Sequence, residues 1–211
     1  MKKIKIPNLW RPRKYQLKLW KYLENGGKRA VAVWHRRAGK DSLALNWTAV
    51  AAFERVGVYW HMLPLQTQAR KVVWDAIDKQ GRRVIDQVFP PELRKSSNAQ
   101  EMKIELLNGS IWQCVGSDNY NSLVGANPVG VVFSEYSIAD PASWDFIRPI
   151  LAENEGWALF IYTPRGRNHG LSLFETAQKA DGWFAQKLGV SETKAIPISA
   201  VDAERAAGMD E

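Results

Sequence analysis

The sequence is poor in cysteine and histidine, with one cysteine and three histidines in 211 residues. The single cysteine, Cys114, excludes a disulfide framework and a cysteine-based metal site, and its apolar surroundings predict a buried thiol. His35, His61 and His169 are too far apart in the chain to form a metal-binding motif, so each is expected to be a structural or surface residue.

Long apolar runs are also missing. The basic start, MKKIKIP, is followed by no continuous apolar segment, and no run approaches the length that crosses a membrane. These absences predict a soluble, intracellular protein. The chain is 45% hydrophobic and 24% charged, which is typical of a globular protein, and its length suits one domain with or without a tail.

Basic residues outnumber acidic ones, with 29 lysines and arginines against 22 aspartates and glutamates, a net charge of +7 and a pI near 9.5. This balance favours a polyanionic partner without identifying it. The basic residues are dispersed along the chain, and for any single group of them a solvated surface is the stronger interpretation.

The segment 31–42, VAVWHRRAGKDS, has the order expected of a strand, a phosphate-binding loop and a helix. In such a loop the backbone N–H groups and the helix N-terminus point at an anion, and a lysine, here Lys40 after Gly39, reaches the terminal phosphates. The pattern G-x-x-x-x-G-K-[ST] is met imperfectly, because Trp34 stands at the first glycine and Asp41 at the hydroxyl position. On this segment alone, a basic turn between a buried strand and a helix remains an alternative.

Elsewhere the hydrophobic pattern alternates between strands and helices, which indicates a mostly parallel central sheet with helices on both faces. Buried strands are predicted at 30–34, 58–63, 129–133 and 157–162, and 183–190 could be a last strand. A hairpin is predicted over 102–115, where Asn108-Gly109 suits a type I′ turn. Helices are predicted at 13–22, 41–53, 66–79, 141–153 and 171–179, and segments 82–89 and 90–98 are read as a short apolar stretch and a loop.

Three regions follow from this pattern: an N-terminal arm and short helix over 1–27, a nucleotide-binding core over 28–190, and a linker over 191–211 with no closing element. Residues 1–12 are expected to be extended because Pro7 and Pro12 interrupt a helix. The polar segment 116–127 is predicted to be a mobile loop.

Glu135 directly follows the apolar strand 129–133, at the kind of strand end where an open α/β sheet gathers its ligand site. A carboxylate there can orient a water for attack on a γ-phosphorus. The alternative for Glu135 alone is a surface charge, but its spacing from Gly39-Lys40 favours the catalytic interpretation. Gln16, in the first turn of the first helix, could read an adenine edge with its paired donor and acceptor.

Several motifs occur in a characteristic order between about residues 10 and 190: Tyr15-Gln16, Arg36 to Asp41, Asn108 to Ser110, Ser122 to Gly125, Phe133 to Glu135 and Thr163 to Gly166. In this order and spacing the chain resembles the N-terminal ATPase domain of the large subunit of tailed-phage terminase, the motor that packages DNA. No single motif decides the resemblance, but the ordered set is fairly specific.

The resemblance implies a three-layer, RecA-like P-loop NTPase fold of the ASCE class. It further implies Mg2+-dependent hydrolysis of ATP that moves double-stranded viral DNA into a procapsid, in the host cytoplasm and without a membrane. The implied partners are DNA, the portal protein, the small terminase subunit and further copies of the chain in a ring. In the family a nuclease domain follows, and nothing in this chain corresponds to it, so nuclease activity is not expected.

The resemblance also implies roles for individual residues. Lys40, Glu135 and Arg36 would be catalytic, the last as the arginine that stabilises transition-state charge. Arg37, Arg148 and Arg165 remain open for that role, the last two acting on a neighbouring subunit. A contact with DNA or a structural role remains the alternative for both loop arginines. The implied nucleotide-binding residues are Gln16, His35, Arg36, Arg37, Ala38, Gly39, Lys40, Asp41, Ser42 and Thr163.

Two departures from the family pattern look reciprocal. Ser134 stands where the family usually has an aspartate, and Asp41 stands where it usually has threonine or serine. We hypothesise that Asp41 supplies the carboxylate for Mg2+ and Ser134 the hydroxyl, so that the metal keeps one acid and one alcohol.

Two other functions share these features. A helicase-type DNA translocase has the same nucleotide core but normally needs a second motor domain, and no second phosphate loop fits after residue 190. A catalytically decayed nucleotide- or DNA-binding module is suggested by Trp34, Asp41 and Ser134. Retention of Lys40 together with Glu135 argues against decay, because a mere binder does not need a water-orienting acid.

Overall fold

The computed structural model describes residues 10–123 and 125–208. Within these residues, eight strands form one sheet in the spatial order β3-β4-β5-β2-β6-β7-β1-β8. The strands are β1 Arg29–Trp34, β2 Val58–Leu63, β3 Arg94–Asn98, β4 Lys103–Leu106, β5 Ile111–Gly116, β6 Pro128–Ser134, β7 Trp157–Tyr162 and β8 Trp183–Leu188.

Helices connect most of these strands. The α-helices are α1 Leu17–Glu24, α2 Lys40–Glu54, α3 Gln66–Ala69, α4 Val84–Val88, α5 Ala142–Glu153, α6 His169–Lys179, α7 Val190–Thr193 and α8 Ile198–Ala206. A π-helical turn, Arg70–Trp74, continues α3, and shorter 3-10 segments lie at Lys14–Gln16, Pro91–Leu93, Ser117–Leu123 and Tyr136–Ile138.

The sheet is mostly parallel, as predicted. β1 pairs in parallel with β7 and β8, β6 pairs in parallel with β2 and β7, and β2 also pairs in parallel with β5. Among the described strands, β4 alone has the opposite direction, and it pairs antiparallel with β3 and β5. Because β1, β6 and β7 run the same way side by side, the residues that follow each of them meet at one edge of the sheet.

Apolar side chains cover both faces of the sheet, which confirms the three-layer arrangement. Along β1, Ala30 and Trp34 pack on the side of α1 and α2, whereas Val31 and Val33 pack on the side of α5 and α6. A strand buried on both faces reads as a continuous apolar run rather than as an alternating one, which is the pattern in AVAVW.

The predicted burial of the cysteine is also confirmed, because the Cys114 thiol is fully buried in β5. Trp47, Trp74 and Trp144 are core residues as well. Burial raises the pKa of Cys114 well above its usual value, so the thiol stays protonated. None of the helices in the described part of the chain is long and apolar enough to cross a membrane.

The predicted hairpin is present between β4 and β5, but the predicted type I′ turn is wrong. That turn needs positive φ at both central residues, and here Gly109 has φ 91° while Asn108 does not enter the left-handed region. The Asn108 side chain instead donates to Ala52 O at 2.7 Å and accepts from Ser110 N at 3.0 Å. These bonds tie the hairpin to the last turns of α2.

Three local assignments also differ from the sequence prediction. The helix predicted over 66–79 ends at Trp74, because the Asp78 side chain accepts hydrogen bonds from the backbone of Gln80 and Arg82 and forms a turn. Segment 82–89 contains helix α4. Part of the predicted loop 90–98 is the edge strand β3, whose polar, exposed residues hide the strand from sequence patterns but pair with β4.

The two ends of the chain are only partly covered by the description. Of the predicted N-terminal arm, residues 1–9 lie outside the described residues. The predicted linker is not devoid of structure, because α7 and α8 lie within it, although α8 has no buried residue. In segment 116–127, residues 117–123 form 3-10 turns and Val124 lies outside the described residues. The predicted domain boundaries and loop mobility remain predictions.

A close approach of the β6 backbone to two aromatic rings generates a stability prediction. A Cβ added at Gly130 of β6 would lie 2.5 Å from the Trp157 ring and 2.7 Å from the Tyr59 ring. We expect Gly130→Ala to lower the free energy of unfolding by about 1–3 kcal/mol, because the buried Tyr59 ring and the half-buried Trp157 ring would have to shift. Urea unfolding followed by tryptophan fluorescence measures this.

Gly189→Ala is the matched control for that substitution. A Cβ there meets its nearest atom at 3.6 Å, an ordinary contact with Glu192, and φ is −92°. We expect a change within about 0.5 kcal/mol. Equal stability of the two variants would show that the rings around Gly130 yield without cost.

Candidate functional site

The phosphate loop predicted from the sequence connects β1 to α2. β1 ends at Trp34, and α2 begins at Lys40 after Gly39, which has φ 72°. Arg37 is also left-handed, with φ 67°. These two residues let the chain reverse within five residues, so that the N-terminus of α2 borders a cavity of about 430 Å3 at the carboxyl edge of the sheet.

Lys40 is held at the floor of this cavity. Its ammonium donates to Trp34 O at 3.1 Å, His35 O at 3.3 Å and Thr163 Oγ1 at 3.0 Å. The side chain is 6% exposed, and burial lowers its pKa, although the carboxylates of Glu135 and Asp41 act in the opposite direction. Trp34, which replaces the usual first glycine, therefore contributes a backbone carbonyl that positions the lysine.

Glu135 follows β6 and approaches the same lysine. Its Oε1 lies 4.0 Å from Lys40 Nζ, and its side chain is about 32% exposed. The residue has φ 52° and ψ 40°, an uncommon conformation for glutamate, and its N–H donates to Ile161 O on β7 at 2.7 Å. This left-handed backbone turns the chain out of the strand, and such outliers concentrate at functional sites.

Asp41 and Ser134, the residues of the proposed reciprocal exchange, are in direct contact. Ser134 Oγ donates to Asp41 Oδ1 at 2.6 Å, and His61 Nε2 lies 3.1 Å from the same oxygen. Burial raises the pKa of Asp41, but the bonds to His61 and Ser134 and the Lys40 charge outweigh it and hold the pKa below its usual value. Asp41 is therefore an anion at neutral pH.

The Tyr15-Gln16 pair lies against the outside of the phosphate loop. The Gln16 amide donates to Ala38 O at 3.0 Å and to Gly39 O at 3.1 Å, and its oxygen accepts from Arg13 N at 2.9 Å. Tyr15 OH donates to Ala38 O at 2.8 Å. Gln16 is 1% exposed, so in this structure its amide braces the loop; its predicted reading of adenine remains a prediction.

His35 and Thr163 link the loop to two other strands. His35 Nε2 lies 2.6 Å from Thr193 Oγ1 in α7. The backbone N–H of His35 donates to Leu188 O on β8 at 3.1 Å. Burial and the nearby Lys40 and Arg13 charges hold the pKa of His35 below its usual value, so the ring is neutral at pH 7. Thr163 follows β7 and touches Lys40, as described above.

The cavity brings together most of the residues that the sequence singled out. It is lined by Arg36, Arg37, Gly39, Lys40, Asp41, Ser42, Glu135, Ile138 and Arg165. Ser134, Gln16 and Ala38 are buried beneath this lining. Arg148 does not join the group. It lies near Arg29, whose pKa is lowered first by burial and then by the Arg148 charge. Arg29 begins β1, at the end of that strand away from the loop.

Sequence reasoning missed His61 and Ile138. Ile138 could not have been found, because an exposed apolar residue in a short 3-10 turn carries no chemical signal. His61 carried a weak one, since it is the polar residue in the otherwise apolar strand VYWHML. Its contact with Asp41 depends on the packing of α2 against β2, which no local pattern records.

The residues present suit Mg2+. Among the described residues, no group of three or more histidines, cysteines, aspartates or glutamates could hold a metal. The oxygen donors that line the cavity are the carboxylates of Asp41 and Glu135 and the hydroxyl of Ser42, and the Ser134 hydroxyl lies just beneath the lining in contact with Asp41. Mg2+ prefers such hard oxygen ligands and is commonly held by one or two carboxylates together with substrate phosphates and waters.

Comparison with known proteins gives relatives in sequence. The large terminase subunit of Escherichia phage T5 is 38% identical over 74 residues, which are 34% of this chain and 17% of that protein. The large terminase subunit of Thermus phage G20c is 27% identical over 165 residues, 70% of this chain and 33% of that protein. The chain thus spans a third or less of the length of these relatives. No family model matches it.

Solved structures share the fold over nearly the whole chain. The ATPase domain of the large terminase of Thermus phage P74-26 has a TM-score of 0.76 at 20% identity, covering 96% of this chain and 90% of that one. The large terminase of a thermophilic bacteriophage, in complex with ATP-gamma-S, has a TM-score of 0.71 at 9% identity, covering 94% and 50%. The resemblance to large terminase subunits, and the RecA-like P-loop fold it implied, are confirmed.

The depressed pKa of Asp41 generates a prediction about acid stability. A carboxyl whose folded pKa lies below its unfolded value stabilises the fold above that unfolded value, near 3.8, and loses this contribution as pH falls through the folded pKa. We expect Asp41→Asn to be less stable than the wild type by a constant amount from roughly pH 5 to 7, and by less at roughly pH 3.

Urea unfolding of both proteins across that pH range measures the difference. Glu175→Gln on the exposed side of α6 is the control and should show no such pH-dependent difference from the wild type. A gap between wild type and Asp41→Asn that stays constant to the lowest pH would mean that the Asp41 pKa is not depressed in the folded protein.

Proposed function

We propose that this chain is the ATPase motor domain of a large terminase subunit, which hydrolyses ATP with Mg2+ to drive double-stranded viral DNA into a procapsid. One observation carries the proposal: the phosphate-loop lysine, Lys40, and the strand-end acid, Glu135, lie 4.0 Å apart at the border of one cavity. The match of fold and sequence to large terminase subunits gives that site its context.

Lys40 and the start of α2 would bind the nucleotide phosphates. The helix N-terminus supplies backbone N–H groups, and the lysine exchanges its bonds to Trp34 O and His35 O for contacts with phosphate oxygens. Thr163 accepts a hydrogen bond from the third N–H of the ammonium. Through this hydroxyl, β7, which lies beside β1 in the sheet, would be linked to phosphate binding. Gln16 keeps the loop backbone in place from the outside.

Asp41 and Ser134 would hold Mg2+, which when bound neutralises charge on the phosphates. Asp41 is anionic and about a third exposed at the cavity, and Ser134 is fixed against it from the end of β6. In the usual pattern the aspartate follows the strand and the hydroxyl begins the helix. Here the carboxylate would come from α2 and the hydroxyl from β6. This pairing is the support for the exchange hypothesis.

Glu135 would accept a proton from the attacking water. Its carboxylate is partly exposed to the cavity, close enough to Lys40 to be near the phosphates, but makes no direct bond to the ammonium at 4.0 Å. A carboxylate left free in this way can accept the hydrogen bond of a water and orient it. Such general-base assistance typically contributes about 10²–10⁴-fold to a rate.

The partners follow from the same proposal. The relatives are named large terminase subunits, and the chain carries a net charge of +7, which suits DNA. Further copies of the chain in a ring, the portal protein and the small terminase subunit would complete the packaging machine, in the cytoplasm of the host.

The first prediction from this proposal separates binding from turnover. We expect Lys40→Ala to lose binding of Mg2+-ATP, because the cavity loses its buried cation. We expect Glu135→Gln to keep that binding and to lose about 100-fold or more of the hydrolysis rate, with or without double-stranded DNA. Equilibrium binding of a fluorescent ATP analogue and a phosphate-release assay measure the two quantities.

Lys179→Ala and Glu175→Gln on α6 are the matched controls, since they make the same chemical changes at exposed positions. Both should behave like the wild type. Nucleotide binding without turnover in the wild type would favour a decayed binding module. A helicase-type translocase would instead show turnover that single-stranded DNA stimulates as strongly as duplex DNA.

Arg36 generates the second prediction. It lines the cavity, and its charge contributes to the lowered pKa of Lys40, so it lies close to the phosphate site. We expect Arg36→Ala to keep nucleotide binding but to lose about 10³–10⁵-fold in hydrolysis rate, as when a charge-stabilising arginine is removed in other phosphoryl-transfer enzymes.

Mixing experiments decide whether this arginine acts within its own chain. Combined with Lys40→Ala protein, whose own site is inactive but whose arginines are intact, Arg36→Ala should recover no activity. Recovery in that mixture would mean that Arg36 acts on a neighbouring copy. If Arg165→Ala shows the loss and Arg36→Ala does not, Arg165 is the charge-stabilising residue instead.

A further inference from the structure

His61 lies in the interior of the sheet, on β2 between β5 and β6, and its side chain is fully buried. Its register partners are Cys114 and Val132, neither of which accepts a hydrogen bond from the ring. Burying an imidazole among such neighbours costs free energy unless its nitrogens are hydrogen-bonded. Among the described residues, the ring makes one contact through a nitrogen, from Nε2 to Asp41 Oδ1 at 3.1 Å.

The direction of this hydrogen bond follows from the chemistry of its two partners. A carboxylate only accepts, so the proton must lie on Nε2 of His61. The other nitrogen, Nδ1, is buried without a hydrogen-bond partner among the described residues. Nε2 is therefore the ring nitrogen through which His61 donates to the carboxylate.

His61 shares its acceptor with Ser134. Both donors approach Oδ1 of Asp41, at 3.1 and 2.6 Å, one from β2 and one from the end of β6. Two donors from different strands fix the rotation of the carboxylate. The other oxygen, Oδ2, receives no hydrogen bond from the described residues and remains available to a further ligand at the cavity that Asp41 lines.

We propose that His61 is a positioning residue for the cation, and that it aligns the Asp41 carboxylate by donating from Nε2. The proposal rests on the proposed function. A carboxylate on a strand end is held by the sheet itself, whereas Asp41 comes from the first turn of α2 and must be anchored to the sheet by side chains. His61 and Ser134 are the anchors that the sheet provides. Outer residues of this kind commonly change metal affinity when they are lost.

The test measures how nucleotide binding depends on Mg2+. His61→Phe removes the donor and keeps a ring in the core, whereas His61→Gln places an amide N–H near the position of Nε2. With a non-hydrolysable fluorescent ATP analogue, we expect the Mg2+ concentration for half-maximal enhancement of binding to rise about 10–100-fold in His61→Phe. His61→Gln should lie closer to the wild type, and binding in EDTA should be equal in all three.

A double variant and a spectroscopic measurement separate positioning from packing. In the Asp41→Asn background, His61→Phe should not weaken the Mg2+ dependence further, because there is no carboxylate left to align. NMR of ¹⁵N-labelled histidine in the nucleotide-free wild type should show the His61 proton on Nε2, with a resonance that shifts in Asp41→Asn. This measurement stands even if His61→Phe fails to fold, which thermal unfolding would reveal.

The outcomes distinguish this inference from the proposed function. Equal Mg2+ dependence in the wild type and His61→Phe, with nucleotide binding intact, would overturn the role of His61 alone. A ring that carries its proton on Nδ1 and none on Nε2 would do the same. Absence of nucleotide binding in the wild type would overturn the proposed function and, with it, this role.

Discussion

The buried ammonium of Lys40 is the interaction on which the site depends. Its hydrogen bonds reach the carbonyls at the end of β1 and the hydroxyl after β7, while Glu135 after β6 lies at 4.0 Å. A charge this deeply buried is stable only when its donors are satisfied, so three neighbouring strand ends must be held in one arrangement. The parallel register of β6, β7 and β1 supplies that arrangement. A ligand that replaced hydrogen bonds of the ammonium would therefore change contacts at all three strand ends.

A second set of contacts surrounds the acid and the alcohol whose exchange we propose. With serine at the end of β6, the sheet offers no carboxylate of its own at that position, and the acid comes from the first turn of α2. The carboxylate is then tied back to the sheet by Ser134 from one strand and by His61 from another. The proposed exchange thus joins a loop residue, a strand residue and a buried histidine that belongs to neither motif.

Most of the fold and much of the candidate site could be read from the sequence. The continuous apolar runs gave the buried parallel strands because burial on both faces demands them, and the position of Glu135 after such a run placed it at the ligand edge. What could not be read depended on pairing or on turns made by side chains. β3 is polar and becomes a strand only because β4 pairs with it, the helix after β2 ends early at a turn built on Asp78, and Asn108 bonds to α2 instead of entering a type I′ turn.

The sequence by itself determined most of the strands and helices in their order, the loop between β1 and α2 that carries Lys40, and the position of Glu135 at a strand end. These are local properties, set by burial, by helix starts and by residue type. Only the tertiary structure decided which side chains meet: that Thr163 bonds to Lys40, that Gln16 braces the loop from outside, and that His61 reaches Asp41. The reason is that these pairs lie 20 to 123 residues apart in the chain, and their contact is fixed by sheet order and helix packing, which no local pattern encodes.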